Sequence, residues 1–84
     1  MRSGAIITLM FYTYILQLSD NTYYTGFSSD LKTRINDHML GNVPQTRKLR
    51  PIKLVYYSSF VSKILALNFE KYLKTHSGFA FRNK

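Results

Sequence analysis

The sequence contains no cysteine and no tryptophan, and it has only four acidic residues and two histidines. Without cysteine, the chain has no disulfides, no thiolate nucleophile and no cysteine-bound zinc site. Two histidines are too few for most metal cages built from histidine alone. A length of 84 residues allows one modest core. These properties exclude a large multidomain enzyme and a secreted disulfide-rich scaffold.

Basic and aromatic residues are abundant. Twelve lysines and arginines face the four acids, which gives a formal net charge of +8. Hydrophobic residues make up 45% of the sequence and aromatic residues 15%, which is enough for a core and too much for a disordered chain. So large a basic excess on a small domain favours a polyanionic partner, most often nucleic acid and less often an anionic membrane.

An apolar run over residues 5–16 follows Arg2 and has the outline of a signal peptide. The run is too short to span a bilayer as a helix. No small-residue cleavage pattern follows it, and its β-branched and aromatic residues favour a buried strand. We therefore expect no membrane segment and a cytoplasmic location.

Turn residues divide the chain into three predicted strands. Residues 9–18 form the first strand and residues 22–27 the second, joined as a hairpin by the turn at residues 19–22. Residues 52–60 form the third. The first strand has an almost uninterrupted apolar run, so we expect it to be the central strand, with the second and third on either side.

Capping residues predict two helices. The first begins at Ser29 or Asp30 and runs to about Leu40, with Gly41 as a left-handed stop. Apolar residues recur every four positions in this helix, which predicts a buried face of Leu31, Ile35 and Met39. The second helix is predicted over residues 62–76. The connection over residues 41–53 is predicted to be exposed, and its length indicates function.

Glu70 is the only glutamate in the chain and lies at helical spacing beside Ala66 and Leu73. A carboxylate close to an apolar face needs a basic side chain or a metal ion as its partner. The simpler interpretation is a surface acid. Its partners would then be Lys63, Lys71 or Lys74.

Four further side chains carry groups suited to phosphate chemistry. Arg34 and His38 share one helix face, where the arginine can hold a phosphate and the histidine can exchange a proton. Tyr14 and Tyr24 lie on opposite arms of the hairpin. Each feature alone also fits a solvated face or ordinary packing. With Glu70 they supply the phosphate grip, proton acceptors and metal ligand that phosphodiester hydrolysis requires.

The order of these residues resembles the GIY-YIG nuclease domain, in particular its small stand-alone bacterial type. The resemblance covers about residues 11–81. It rests on Tyr-Thr-Tyr at 12–14, Tyr-Thr-Gly at 24–26, Arg34 with His38, and Glu70. Segments 23–34, 54–57 and 77–81 are also similar. The first motif lacks its glycine and isoleucine, and Thr25 replaces the usual isoleucine of the second.

This resemblance implies an α+β fold in one domain over residues 1–84, a three-stranded antiparallel sheet flanked by helices. It implies a metal-dependent endonuclease that hydrolyses phosphodiester bonds of nucleic acid, with DNA favoured over RNA. Glu70 corresponds to the metal-binding glutamate, for Mg²⁺ or Mn²⁺, and Arg34 to the phosphate-gripping arginine. The other catalytic residues would be Tyr14, Tyr24 and His38. The match of Asn83 to the family's late asparagine is left open.

The predicted mechanism is one-metal hydrolysis. Tyr14 takes a proton from the attacking water, for which its ordinary pKa of about 10 has to be lowered by a cationic environment. Tyr24 and His38 orient the water or relay the proton. The residues expected to contact phosphate are Arg47, Lys48, Arg50, Lys53, Arg82 and Lys84.

We expect a monomer or a weak homodimer. Two alternatives stay open at this point. One is a non-catalytic basic module that binds nucleic acid, for which charge and exposed aromatic residues suffice. The other is a basic adaptor that binds proteins or the ribosome.

Overall fold

The computed structural model describes residues 9–75, which form an antiparallel sheet with a helix on each face. The elements, in chain order, are β1 (Phe11–Gln17), β2 (Tyr23–Ser28), α1 (Leu31–Leu40), β3 (Lys53–Phe60) and α2 (Lys63–Thr75). The strand order is β2-β1-β3. Within the described residues, no helix is long and apolar enough to cross a membrane.

β1 is the central strand, as its apolar run predicts. It pairs antiparallel with β2 on one side and with β3 on the other. Four consecutive residues of β1 have exposed fractions of 0%, namely Thr13, Tyr14, Ile15 and Leu16. Burial of successive residues means that both faces of this strand are covered, because side chains alternate between the faces of a sheet.

The two helices cover opposite faces of the sheet. Tyr14 and Leu16 belong to a buried cluster against which Leu31 of α1 packs. The neighbouring Thr13 points to the other face, where its hydroxyl donates a 2.6 Å hydrogen bond to the carbonyl of Ala66 in α2. Residues of β1 with even numbers therefore face α1, and those with odd numbers face α2.

α1 begins and ends where its capping residues predict. The carboxylate of Asp30 accepts a 3.2 Å hydrogen bond from the backbone N–H of Thr33. At the other end, Gly41 has a φ of +83°, a left-handed conformation that favours glycine. These two caps limit α1 to ten residues.

The buried face of α1 differs from the prediction at one position. Met39, predicted to be buried, is 57% exposed, whereas His38 is fully buried. Ile35 packs against the core cluster as predicted. His38 can be buried in place of Met39 because both of its ring nitrogens have hydrogen-bond partners inside the protein.

Candidate active site

Three polar side chains form a buried hydrogen-bonded chain between the sheet and α1. The hydroxyl of Tyr14 lies 2.8 Å from Nε2 of His38. Nδ1 of the same ring lies 2.7 Å from the hydroxyl of Thr46. All three residues have exposed fractions of 0%. Polar groups buried away from water are stable only when hydrogen-bonded, and these three satisfy one another.

Gly26 makes room for the ring of Tyr14. The two residues are directly opposite in the β1–β2 register. A Cβ on Gly26 would stand 2.4 Å from both Cζ and the hydroxyl oxygen of Tyr14, which is too close for any side chain. Thr25 pairs with Ile15 and so faces α2. Its departure from the usual isoleucine therefore leaves the Tyr14 side of the sheet unchanged.

Tyr24 and Arg34 complete the cluster. The ring centroid of Tyr24 lies 5.1 Å from that of His38 and 6.3 Å from that of Tyr14. Arg34 lies one helical turn before His38, and interactions with the hydroxyls of Tyr14 and then Tyr24 raise the pKa of its guanidinium. The structure thus brings together four of the five predicted catalytic residues, around a permanent positive charge.

Burial keeps both Tyr14 and His38 neutral at pH 7. Desolvation raises the pKa of Tyr14 to about 12, and the neighbouring Arg34 offsets this only in part. Desolvation, followed by the positive charge of Arg34, lowers the pKa of His38 below its ordinary value. The expectation of a lowered Tyr14 pKa is therefore wrong for the free protein, because loss of water outweighs the cationic neighbour.

Glu70 lies on α2, and its one ion pair in the described residues is with Lys74. Its side chain is 19% exposed, and its carboxylate lies 3.1 Å from the ammonium of Lys74, one of the surface partners that the simpler interpretation predicts. The negative charge of Glu70 raises the pKa of Tyr14, by less than burial, Tyr24 or Arg34 changes it. Glu70 is therefore within electrostatic reach of the cluster.

The donor set suits a loosely held divalent ion. The described residues contain no group of three or more histidine, aspartate or glutamate side chains that could hold a metal. Carboxylate oxygen is a ligand that Mg²⁺ prefers, and this ion commonly keeps several waters and substrate phosphates as its other ligands. A single carboxylate from Glu70 fits such an ion, although Lys74 competes for it.

Sequence reasoning missed Thr46. The connection over residues 41–53 is predicted to be exposed, but Val43 is 2% exposed and Thr46 is fully buried. The prediction is wrong at these positions because this segment folds back beneath α1, where Thr46 contacts His38. A lone threonine in a loop carries no periodic signal, so only the tertiary structure reveals it.

The predicted phosphate-binding residues differ in their surroundings. Arg47, Lys48 and Lys53 are exposed. Arg50 is also exposed, but its guanidinium donates to the carbonyl of Arg47 at 2.9 Å and to that of Met39 at 3.3 Å. The remaining two lie outside the described residues: Arg82 and Lys84.

An open cleft of about 740 Å³ lies beside the cluster, between α1 and the β1–β3 side of the sheet. Tyr12 and Tyr57 line it with aromatic rings, and Lys32 adds a positive charge. Tyr57 is 53% exposed. An exposed aromatic ring near a basic side chain is suited to contact with nucleotide bases and phosphate.

A small α+β domain with an arginine beside two tyrosine hydroxyls is suited to binding phosphate. The family described as the GIY-YIG catalytic domain matches residues 10–83, and the chain belongs to this family. Membership implies nuclease-type activity and a nucleic-acid substrate.

Related proteins support this assignment. A UPF0213 protein of Streptococcus agalactiae is 42% identical over 64 residues, which are 75% of this chain and 73% of the relative. One from Streptococcus pyogenes is 41% identical over 64 residues, 75% of this chain and 70% of that protein. The solution NMR structure of a UPF0213 protein from Bacillus halodurans is similar with a TM-score of 0.55 and 32% identity, covering 86% of this chain and 80% of that one. This similarity confirms the predicted fold class.

Proposed function

We propose that this protein is a divalent-metal-dependent endonuclease that hydrolyses phosphodiester bonds, with DNA favoured over RNA as substrate. The observation that carries the proposal is the convergence of Tyr14, Tyr24 and His38 near the guanidinium of Arg34. A formal net charge of +8 supports binding to a polyanion. We expect the protein to act in the cytoplasm as a monomer or a weak homodimer.

Arg34 binds the scissile phosphate. Its guanidinium interacts with the hydroxyls of Tyr14 and Tyr24, and a planar guanidinium can donate two parallel hydrogen bonds to phosphate oxygens. Negative charge grows on the non-bridging oxygens as the nucleophile attacks. A preorganised positive charge at this position stabilises the transition state more than the ground state.

Tyr14 and His38 act as neutral hydrogen-bonding groups. Because burial raises the pKa of Tyr14, its phenol keeps its proton at neutral pH. We therefore assign Tyr14 as a hydrogen-bond donor to an oxygen of the substrate or of the attacking water, in place of the general base predicted from the sequence. His38 holds the phenol in position, and Tyr24 orients the water from the other side of the cluster.

Glu70 would hold the divalent ion, Mg²⁺ or Mn²⁺. When bound, such an ion supplies Lewis-acid stabilisation of the leaving oxygen. One carboxylate gives weak affinity, so most of the ion's ligands would be water and phosphate. Lys74 holds the carboxylate in the absence of the ion.

The test is cleavage of labelled single- and double-stranded oligonucleotides with Mg²⁺, with Mn²⁺ and with EDTA. Glu70→Gln keeps the size of the side chain but removes its charge. It should leave folding and binding near those of the parent while lowering turnover by at least about two orders of magnitude. Lys74→Gln is the matched control: it breaks the same ion pair but keeps the carboxylate, and should retain cleavage.

The Glu70–Lys74 ion pair also favours one rival function, a basic module that binds nucleic acid without cleaving it, because a surface acid would make this pairing. In that case the parent binds oligonucleotides and cleaves none with either metal. Equal cleavage by the parent and Glu70→Gln would equally remove Glu70 from the proposed mechanism.

A further inference from the structure

The hydroxyl of Thr46 is used in an unusual way. Thr46 is the N-cap of a short 3₁₀ helix, Arg47–Leu49, but its side chain makes no capping hydrogen bond. Threonine at this position commonly caps the helix with its hydroxyl. Here the hydroxyl instead lies 2.7 Å from Nδ1 of His38. Within the described part of the chain, this is the only hydrogen bond of the Thr46 side chain.

The three buried side chains share two hydrogen bonds, and donation can run along them in either of two directions. A neutral imidazole has one N–H and one bare nitrogen, so His38 donates to one neighbour and accepts from the other. Thr46, His38 and Tyr14 have three protons for these two hydrogen bonds, so one hydroxyl proton is left unpaired in either direction. If Nδ1 donated to Thr46, the unpaired proton would be that of Thr46, which is fully buried and has no acceptor among the described residues. If Thr46 donates to Nδ1, that proton is satisfied and Nε2 carries the imidazole N–H.

Tyr14 lies at the other end of these hydrogen bonds, and its hydroxyl can donate to a bound substrate. With Nε2–H donating to the oxygen of Tyr14, the phenol's own proton is directed elsewhere. Tyr14 interacts with the guanidinium of Arg34 strongly enough to raise the pKa of that group, and the same guanidinium would attract an anionic oxygen. In this direction the unpaired proton is that of Tyr14, which is also buried but interacts with Arg34, so a bound phosphate oxygen would supply the acceptor that the free protein lacks.

We propose that Thr46 is a positioning residue that holds His38 as the Nε2–H tautomer, so that hydrogen bonds run from Thr46 through His38 to Tyr14 and on to a substrate oxygen. The choice of direction and its catalytic consequence rest on the proposed nuclease function, whereas the tautomer itself can be measured in the free protein. In this arrangement His38 supports Tyr14 as a donor and does not receive its proton.

Nitrogen NMR of histidine-labelled protein at neutral pH tests the tautomer directly. The full-length parent should show a protonated Nε2 and a bare, hydrogen-bonded Nδ1 for His38, assigned by comparison with His38→Gln. A protonated Nδ1 would overturn the proposal. This readout requires no cleavage, so it stands apart from failure of the nuclease assay.

Substitution of Thr46 tests its role. Thr46→Val keeps the shape and loses no capping bond, since none is made. The Nδ1 resonance should move to that of a nitrogen without a hydrogen bond, and kcat should fall roughly tenfold with KM unchanged. Thr46→Ser keeps the hydroxyl and should restore both.

An unchanged Nδ1 resonance in Thr46→Val contradicts the proposal, and so does an unchanged kcat. If the parent has the Nε2–H tautomer but cleaves no oligonucleotide, the proposed function fails while the assignment of the tautomer stands. If Thr46→Val does not fold, the spectra of the parent and of Thr46→Ser still show which nitrogen of His38 carries the proton, and so in which direction the hydrogen bonds are donated.

Discussion

Arg50 lies against Gly41 at the carboxyl end of α1, with its guanidinium carbon 2.7 Å from where a Cβ on Gly41 would stand. The guanidinium also donates to the carbonyls of Met39 and Arg47. The last carbonyls of a helix have no partner within it, and a positive charge there is favourable. Arg50 therefore stabilises the turn that follows α1, and it needs this glycine to do so.

Loss of Arg50 should lower stability. Arg50→Gln removes the donors to the two carbonyls and should lower the free energy of unfolding by about 0.5–1.5 kcal/mol. Arg47→Gln is the matched control, because the backbone carbonyl of Arg47 accepts from Arg50 whatever its side chain. It should change stability by less than about 0.5 kcal/mol. Urea denaturation measures both, and equal stabilities would contradict this role of Arg50.

The exposed basic side chains after α1 should contribute to the affinity for nucleic acid but not to the rate of cleavage. Neutralising Arg47 and Lys48 together should weaken binding to all oligonucleotides alike. The slope of log affinity against log salt should fall by about one unit per lost phosphate contact. Cleavage at saturating substrate should stay near the parent rate. A fall in kcat with unchanged affinity would assign these residues to catalysis instead.

A methyl group on Gly26 should displace Tyr14. Gly26→Ala places a Cβ within 2.4 Å of the phenol, so the ring has to move and the hydrogen bond to His38 is lost. Overpacking of this kind costs about 1–3 kcal/mol, and cleavage should fall in the folded fraction as well. Thr25→Ile changes the adjacent residue on the other face and should leave cleavage unchanged. Parent-like cleavage by Gly26→Ala would show that the position of Tyr14 is not needed.

Stability should decrease as the pH falls through the ordinary pKa of histidine. Folding lowers the pKa of His38, so the unfolded chain binds this proton more readily than the folded protein. The stabilisation is present above the unfolded pKa of about 6.5 and is lost progressively below it. Thermal unfolding between neutral and mildly acidic pH measures the effect.

The two histidines provide their own control. His38→Gln should remove most of the pH dependence of the unfolding temperature in this range, although it lowers stability at every pH. His76→Gln, which leaves His38 in place, should retain the dependence. The reverse pattern would show that His76 is the residue whose titration affects folding.

The sequence by itself determined the local structure. Asp30 and Gly41 cap α1 through contacts made within a few residues, and such contacts are encoded by residue type. The apolar run of β1 predicts its central place, because burial on both faces requires apolar residues at odd and even positions alike. The order of the motifs predicts which residues form the cluster of Tyr14, Tyr24, Arg34 and His38.

Only the tertiary structure decided how these residues act. Tyr14 and His38 are 24 positions apart, and Thr46 is eight positions beyond His38. No local pattern relates residues at these separations. Burial of His38 in place of Met39 and the raised pKa of Tyr14 depend on how much water the assembled fold excludes. Desolvation is a property of the packed protein, so the residue types could be read from the sequence, whereas their protonation and donor roles could not.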